Sequence, residues 1–544
     1  MKGIIALAIV GSSFIFGCKS QTETQKEDST QDSGQTKISK RDYSISIKDS
    51  YSDLSLDSMS VENFVASRNL PEKVARRIIS FYNARNYYYA WFASDGLTEQ
   101  ALGFWNLHNY TVYTGDTSFT DHELHNKMQA LTTEEEKPTL SGKDKSIQRA
   151  ELLMTEHFVE YILKAYPNHE VTRKEAERFI PLRKEDPIDL GDSLLHKKHK
   201  TNKYYDEVND AYKLLKVQLG KYIDIYRNGG WHSLPTDVKL YKKKESSPAI
   251  AMLKKRLRIT GELEGNDSSA IYDDTLANAI KVAEHEYGFT EDGNVSLGLL
   301  KDLNVPVKER VKQLLANINR MRWMPQEPAG KLILVNIPEF VLHSLDGKKK
   351  VFDMNVIVGK EGHNTVMFTG KLSSIVFSPY WNVPPSIVKK EILPKMASNP
   401  DYLNSQDMEI TGNEGGLPVI RQKPGDKNSL GRVKFLFPNS FNIYLHDTDA
   451  RSLFGKDKRA FSHGCVRIAE PEKMADYLLQ DEPQWPQDKI REAMYSGKEQ
   501  TVQIKSPVPV FITYYTSWVD ENGHINFRDD IYGRDSSMVK KMFY

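Results

Sequence analysis

The spacing of apolar residues changes at about residue 330, and that change constrains the fold more than any other feature of the chain. Up to Met321 apolar positions recur at helical intervals; from Lys331 they fall into short strand-like runs bounded by turn residues. At 544 residues the chain exceeds what one hydrophobic core can serve, so two to four domains are expected. Helical domains followed by a β-rich one make a multidomain α+β protein. With 74 basic residues against 73 acidic ones the net charge is +1, so no global field draws the chain to nucleic acid, and none is expected as a partner.

Met1-Lys2-Gly3 precedes an apolar run from Ile4 to Phe16 that is too short to span a bilayer and reads as the core of a signal peptide. The run ends at Gly17-Cys18, which resembles a lipoprotein signal, with Ile15 and Phe16 where Leu and a small residue are commoner. That resemblance implies a signal peptide over 1–17, acylation of Cys18 and a membrane anchor; Lys19 favours the outer membrane, with the body facing the periplasm. Residues 18–54 are rich in Ser, Thr, Gln, Lys, Asp and Glu and read as a disordered tether. Cys18 and Cys465 are the two cysteines of the chain, so a lipidated Cys18 leaves one thiol and no disulfide.

Residues 55–238 read as a mainly helical domain, with periodic segments at 71–92, 146–165 and 203–227 and a break at Gly229-Gly230-Trp231-His232-Ser233-Leu234-Pro235. The aromatic run Tyr87 to Phe92 reads as core. Residues 239–306 suggest three short helices, around Leu253 and Leu257, around Leu276 and Ile280 behind the N-cap candidates Asp273 and Asp274, and around Leu299 and Leu300. This unit is similar to a three-helix peptidoglycan-binding domain, matched at Leu253, Leu257, Tyr272, Leu276, Ile280, Gly288, Asp292, Gly293, Leu300 and Asn304. Glu284-His285-Glu286 departs from the Phe-Gln pair usual there, which leaves glycan contact open beside a plain packing role. A further helix from Val307 to Met321 leads out of the helical part.

The region 331–535 is β-rich. Strands are expected at 331–337, 340–343, 352–358, 374–377, 441–446, 508–519 and 525–527, with Asp346-Gly347 and Glu521-Asn522-Gly523 as hairpin turns. Between them, about 386–437 is polar and punctuated by Asn399-Pro400, Gly412-Asn413, Gly415-Gly416 and Pro424-Gly425. A structureless stretch of that length is unusual in a compact domain unless it serves as a lid.

Ser462-His463-Gly464-Cys465-Val466-Arg467 is the segment that points to chemistry. A cysteine attacks as its thiolate, which a nearby imidazolium, a positive charge or backbone N–H groups favour. His446, His463 and Arg467 lie close in sequence, Gly464 allows close backbone approach, and N–H groups around the cysteine suit a developing oxyanion. With His446-Asp447-Thr448 and Gly455 upstream, the segment resembles the signature of the YkuD-type L,D-transpeptidases. Pro379-Tyr380-Trp381-Asn382-Val383-Pro384-Pro385-Ser386-Ile387 resembles the strand-to-loop segment beside that family's site. The subgroup resembled is that of large envelope enzymes with scaffold, peptidoglycan-binding and catalytic domains, over about 65–535. Asp447 departs from the Gly that many relatives carry.

The resemblance implies that Cys465 is the nucleophile, His446 the general base and the Asp447 backbone carbonyl the group orienting the imidazole. His463 and Gly464 are implied at the oxyanion site or its loop, and Arg467, Tyr444 and Trp381 at the substrate; Ser462 is given a structural hydrogen bond. The implied reaction is ping-pong: a thioester forms at the diamino acid of a donor tetrapeptide, D-Ala leaves, and the amine of a second stem peptide completes a 3→3 cross-link. No metal or cofactor is implied. The implied partners are peptidoglycan stem peptides and glycan, the membrane through the lipid, and other cell-wall enzymes; carbapenems are implied as acylating agents, and 386–437 as a capping subdomain that gates the cleft. The same thioester would serve an L,D-carboxypeptidase or an enzyme attaching a protein to peptidoglycan. A non-catalytic peptidoglycan-binding lipoprotein is disfavoured because a tether has no need of a reactive thiol. A papain-like protease is disfavoured because its histidine follows its cysteine.

Overall fold

The computed structural model describes residues 37–113, 121–133, 139–165, 180–195, 210–325, 327–439 and 441–544. The expected signal peptide, Cys18, residues 18–36 of the expected tether and residues 203–209 of the third helical segment lie outside these. Residues 38–54, expected in the tether, are instead part of the body. Ile45 and Tyr51 are buried, the Asp42 N–H donates to Asn83 O at 2.9 Å, and the Lys184 N–H donates to Asp49 O at 2.7 Å. A few apolar side chains spaced through polar sequence suffice to fix this stretch against a surface that is already folded.

Helices form at Glu72–Ala84, Lys145–Ala165 and Asp210–Arg227. The first stops short of the expected Phe92, because Asn86 and Tyr87 turn to positive φ and the aromatic run enters the core with Tyr89, Trp91 and Phe92 fully buried. The non-helical backbone there is satisfied by the buried Glu151, whose carboxylate accepts from Ala90 N at 2.7 Å and Trp91 N at 3.0 Å. The three-helix unit is present as Pro248–Thr260, Asp274–Tyr287 and Leu297–Leu303, capped by the side chains of Ser247, Asp273 and Ser296. One apolar core runs from the first helices through this unit and the helix Val307–Met321 to Ile525, Phe527, Met538 and Met542 near the C-terminus. Glu284-His285-Glu286 serves this packing. Glu284 accepts from the N–H groups of Gly293 and Asn294, His285 meets Asp520 and Glu291 at 2.9 Å each, and Glu286 lies 3.4 Å from His524.

Nine strands build the main sheet: β1 Lys331–Asn336, β2 Val341–Asp346, β3 Lys349–Gly359, β4 Phe368–Phe377, β5 Val433–Leu436, β6 Leu445–His446, β7 Ala460–Ser462, β8 Val466–Ile468 and β9 Gln500–Thr513. Their order is β7-β3-β8-β6-β5-β4-β9-β1-β2, and β2 also pairs with β3, so eight strands close into a ring with β7 outside it. Closure removes the free edges that would otherwise invite mispairing. Ile333, Val335, Val356, Val358, Phe435, Leu445 and Val466 fill its interior.

Two expectations change here. The strand expected at 441–446 shrinks to β6, because the Asn439 side chain holds a loop together, accepting from Phe441 N and Ile443 N and donating to Ile443 O, and Asn442 takes φ +55°. The segment 386–437 is neither a structureless lid nor wholly a cap. Its end, β5, is an interior strand of the main sheet, whereas the part before it folds with Trp381–Asn382, Met408–Glu414 and Leu417–Gln422 as a three-stranded sheet. That cap has a small core of its own, made by Val383, Val388, Ile392, Met408 and Ile420.

A buried ion cluster joins the helices Glu99–Tyr113 and Val307–Met321 to the C-terminal helix Arg534–Met542. Arg320 bridges Glu99 and Asp535, and Arg534 adds a second bond to Glu99. Arg320→Met leaves two buried carboxylates short of a partner, which costs about 3–5 kcal/mol. The expected outcome is a lower midpoint of chemical unfolding; an unchanged midpoint would contradict this role.

Candidate active site

β6 is two residues long, yet it has a partner on each side. It runs parallel to β8 with Leu445 opposite Val466 and His446 opposite Arg467, and antiparallel to β5 with Phe435 opposite Leu445 and Lys434 opposite His446. Leu445, Val466 and Phe435 are fully buried in the ring's core. Alternation along each strand therefore puts His446, Arg467 and Lys434 together on the other face, with Tyr444 and Cys465 two residues before His446 and Arg467 on that same face. The pairing extends to them through Val466 N, which donates to Tyr444 O at 3.2 Å.

The buried His446 places Nδ1 2.5 Å from the carbonyl oxygen of Asp447. A carbonyl can only accept, so Nδ1 carries the proton and Nε2 keeps its lone pair. Burial, with Arg467 and Lys434 adding to it, brings the imidazolium down to about 3. Cys465 is half-buried and its thiol donates to Asn442 O at 3.7 Å. Burial pushes this thiol up, against hydrogen bonds from Tyr444 and the charge of Arg467. The resting pair is thus a neutral thiol and a neutral imidazole. The imidazolium that sequence reading admitted beside the cysteine is removed by desolvation.

The loop between β7 and β8 is held from within. Ser462 Oγ donates to Cys465 O at 2.5 Å and accepts from Gly464 N at 3.2 Å. The Gly464 N–H is therefore committed, and what this residue supplies is a φ of +111°, which favours glycine. Its carbonyl accepts from Thr365 Oγ1 at 2.7 Å, and Thr365 in turn accepts from Gly359 N. Among the described residues no hydrogen bond engages the Cys465 N–H, the amide next to the sulfur. His463 Nε2 lies 2.7 Å from Glu391 of the cap, and its ring meets His363 edge-on.

The other expected residues divide. The Tyr444 ring lies 5.6 Å from that of His446, and burial, with the neighbouring Cys465 adding to it, pushes its phenol far up. Arg467 donates to Thr448 Oγ1 at 3.4 Å and stands beside the pair. Trp381 does not join this row: it pairs with Gln422 and packs on the cap's core. The Asp447 side chain accepts from Arg432 N at 2.8 Å and from Arg451 at 2.5 Å. A side chain at Gly431 would overlap its carboxyl group. Asp447 in place of the commoner Gly is thus matched by the missing side chain at 431, and its pinned carboxylate steadies the carbonyl that orients His446. Sequence reading missed Thr365, Glu391, Gly431 and Lys434, which lie far from the motif and reach it through sheet register or loop packing. Among the described residues no cluster of His, Cys, Asp and Glu suits a metal ion.

Residues 330–510 match the YkuD family, the L,D-transpeptidase catalytic domain, and residues 76–219 match the Scaffold domain family. Over 240 residues the chain is 35% identical to a Haemophilus influenzae protein named "Putative L,D-transpeptidase", covering 41% of this chain and 48% of that protein. The chain thus spans about half the length of this curated relative. A solved L,D-transpeptidase of Stackebrandtia nassauensis aligns at 13% identity over 52% of this chain and 97% of its own, with a TM-score of 0.21. One of Xylanimonas cellulosilytica aligns at 13% identity over 52% and 98%, with a TM-score of 0.16, and likenesses at such scores add nothing to the argument. Residues 330–510 of this chain thus carry a YkuD-type L,D-transpeptidase catalytic domain, preceded by a Scaffold domain over residues 76–219.

Proposed function

We propose that this protein forms 3→3 cross-links in peptidoglycan through a thioester on Cys465. The observation that carries the reading is the bare Nε2 of His446, fixed by the Asp447 carbonyl on the same sheet face as the thiol. The thiol proton passes to Nε2 as Sγ attacks the amide carbonyl between the diamino acid and terminal D-Ala of a donor tetrapeptide. In this reading the Cys465 N–H, which no other hydrogen bond among the described residues engages, meets the oxyanion. The imidazolium then gives its proton to the departing D-Ala nitrogen, and a thioester remains. The side-chain amine of a second stem peptide loses its proton to Nε2 and takes the acyl group, which restores the thiol. The low proton affinity of buried His446 favours this return of the proton.

The lipid anchor at Cys18 and the outer-membrane, periplasm-facing location belong to the same proposal and rest on the N-terminal sequence. Among the described residues no helix is long and apolar enough to cross a membrane. The gating role of the cap rests on the contact between Glu391 and His463, which ties the cap to the cysteine loop. Removing residues 386–427, which spares β5, is expected to change the range of donors or acceptors used; an unchanged range would refute gating.

The central test incubates the purified full chain with disaccharide-tetrapeptide, alongside Cys465→Ala, and reads the products by mass spectrometry. The expected product is a dimer lacking one D-Ala, absent with the variant. Tripeptide alone would move the assignment to an L,D-carboxypeptidase. Dimer formation by Cys465→Ala would overturn the mechanism.

A further inference from the structure

Lys434 lies directly across from His446 on β5, so their Cβ atoms are about 4.5–5.5 Å apart on one face. Its flank of the imidazole is opposite that of Arg467, since β6 has β8 on one side and β5 on the other. Both cations act on His446 electrostatically. Among the described residues no hydrogen bond or ion pair engages the Lys434 ammonium; Glu499, whose carboxylate accepts from Tyr380 N, acts on it only from a distance. Burial pulls this ammonium below the ordinary lysine range. A part-buried cation with no protein anion beside it, one strand from the general base, is a poor structural device and a good anion receptor.

The reaction geometry says which anion. The scissile carbonyl carbon must meet Cys465 Sγ on the β8 side, and the leaving nitrogen must meet the imidazole of His446 on β6, which returns its proton. Two bonds beyond that nitrogen, about 2.5 Å away, stands the α-carboxylate of the leaving amino acid. Across the sheet the thiol stands on the β8 side, the imidazole on β6 and Lys434 on β5, so a carboxylate held beyond the imidazole from the sulfur comes onto the strand that carries Lys434. We propose that Lys434 binds the α-carboxylate of the leaving residue and so makes the site selective for a donor whose scissile amide joins its C-terminal residue. The inference rests on the acyl-transfer reading above. In that step the S–C bond forms, the C–N bond breaks, and the thiol proton leaves on the nitrogen of the amino acid whose carboxylate Lys434 holds.

The test compares the full chain with Lys434→Met, which keeps the stem and removes the charge. Two donors are used: the tetrapeptide with a free C-terminal carboxylate and the same peptide as its C-terminal carboxamide. Release of the C-terminal residue gives kcat/KM, and alkylation of Cys465 by iodoacetamide, a neutral probe, reports the thiol. The wild type is expected to prefer the carboxylate donor roughly 10- to 100-fold, the range of a charge-assisted contact. In Lys434→Met that preference falls to near unity through loss on the carboxylate donor, while iodoacetamide reacts within about twofold of the wild-type rate. Lys434→Arg, which keeps the charge, restores part of the preference. A wild type that turns over both donors equally, or a Lys434→Met variant that keeps the preference, overturns the proposal. A wild type that releases the C-terminal residue from neither donor, yet is alkylated at Cys465, tells against the acyl-transfer reading itself.

Discussion

The site depends on a ladder two residues long. Leu445 and His446 pair in parallel with Val466 and Arg467, and this register sets the imidazole and the thiol on one face of the sheet. A slip of one residue would send His446 into the apolar core and Leu445 to the cleft, because side chains alternate along a strand. Two residues of β-structure are weak by themselves. They hold because β5 pairs on the far side, because the ring of strands is closed, and because Leu445, Val466 and Phe435 are fully buried beneath. The geometry of the candidate site is thus a consequence of core packing on the opposite face of the same strands.

Burial then sets the chemistry. Desolvation acts in opposite directions on a base and on an acid, and here it discharges both members of the pair: the imidazole gives up its proton and the thiol keeps its own. Such a pair stores no ion pair at rest. In the proposed reaction the proton moves only when a carbonyl arrives for the sulfur to attack. The hydrogen bond from Nδ1 to the Asp447 carbonyl, itself steadied through Arg432, Arg451 and the space left at Gly431, keeps the reactive nitrogen bare.

Much of this was legible in the sequence, and the rest had physical reasons to be hidden. The Ser462–Arg467 motif and the preceding histidine carry their meaning locally, since Ser462 binds the loop of which it is part. The helix Val307–Met321 and the strand beginning at Lys331 followed from periodicity. The beginning of the strand expected at 441–446 was lost to side-chain hydrogen bonds of Asn439, a competition that apolar spacing does not record. β5 was read into the cap because a four-residue strand bounded by Gly431 and Pro438 looks like loop until its partners β4 and β6 are in place. With β5 went Lys434, whose position beside His446 exists only in the register. Residues 38–54 looked like tether because their composition is polar, while Ile45 and Tyr51 are enough to seat them.

The claim on which the account turns is that His446 rests neutral with its proton on Nδ1. Nitrogen NMR of histidine-labelled protein, with His446→Gln to assign the signal, reads this directly. One protonated and one bare nitrogen are expected from pH 5 to pH 8, because the group accepts a second proton only at about 3. An imidazolium over that range, or a proton on Nε2 in place of Nδ1, would contradict it.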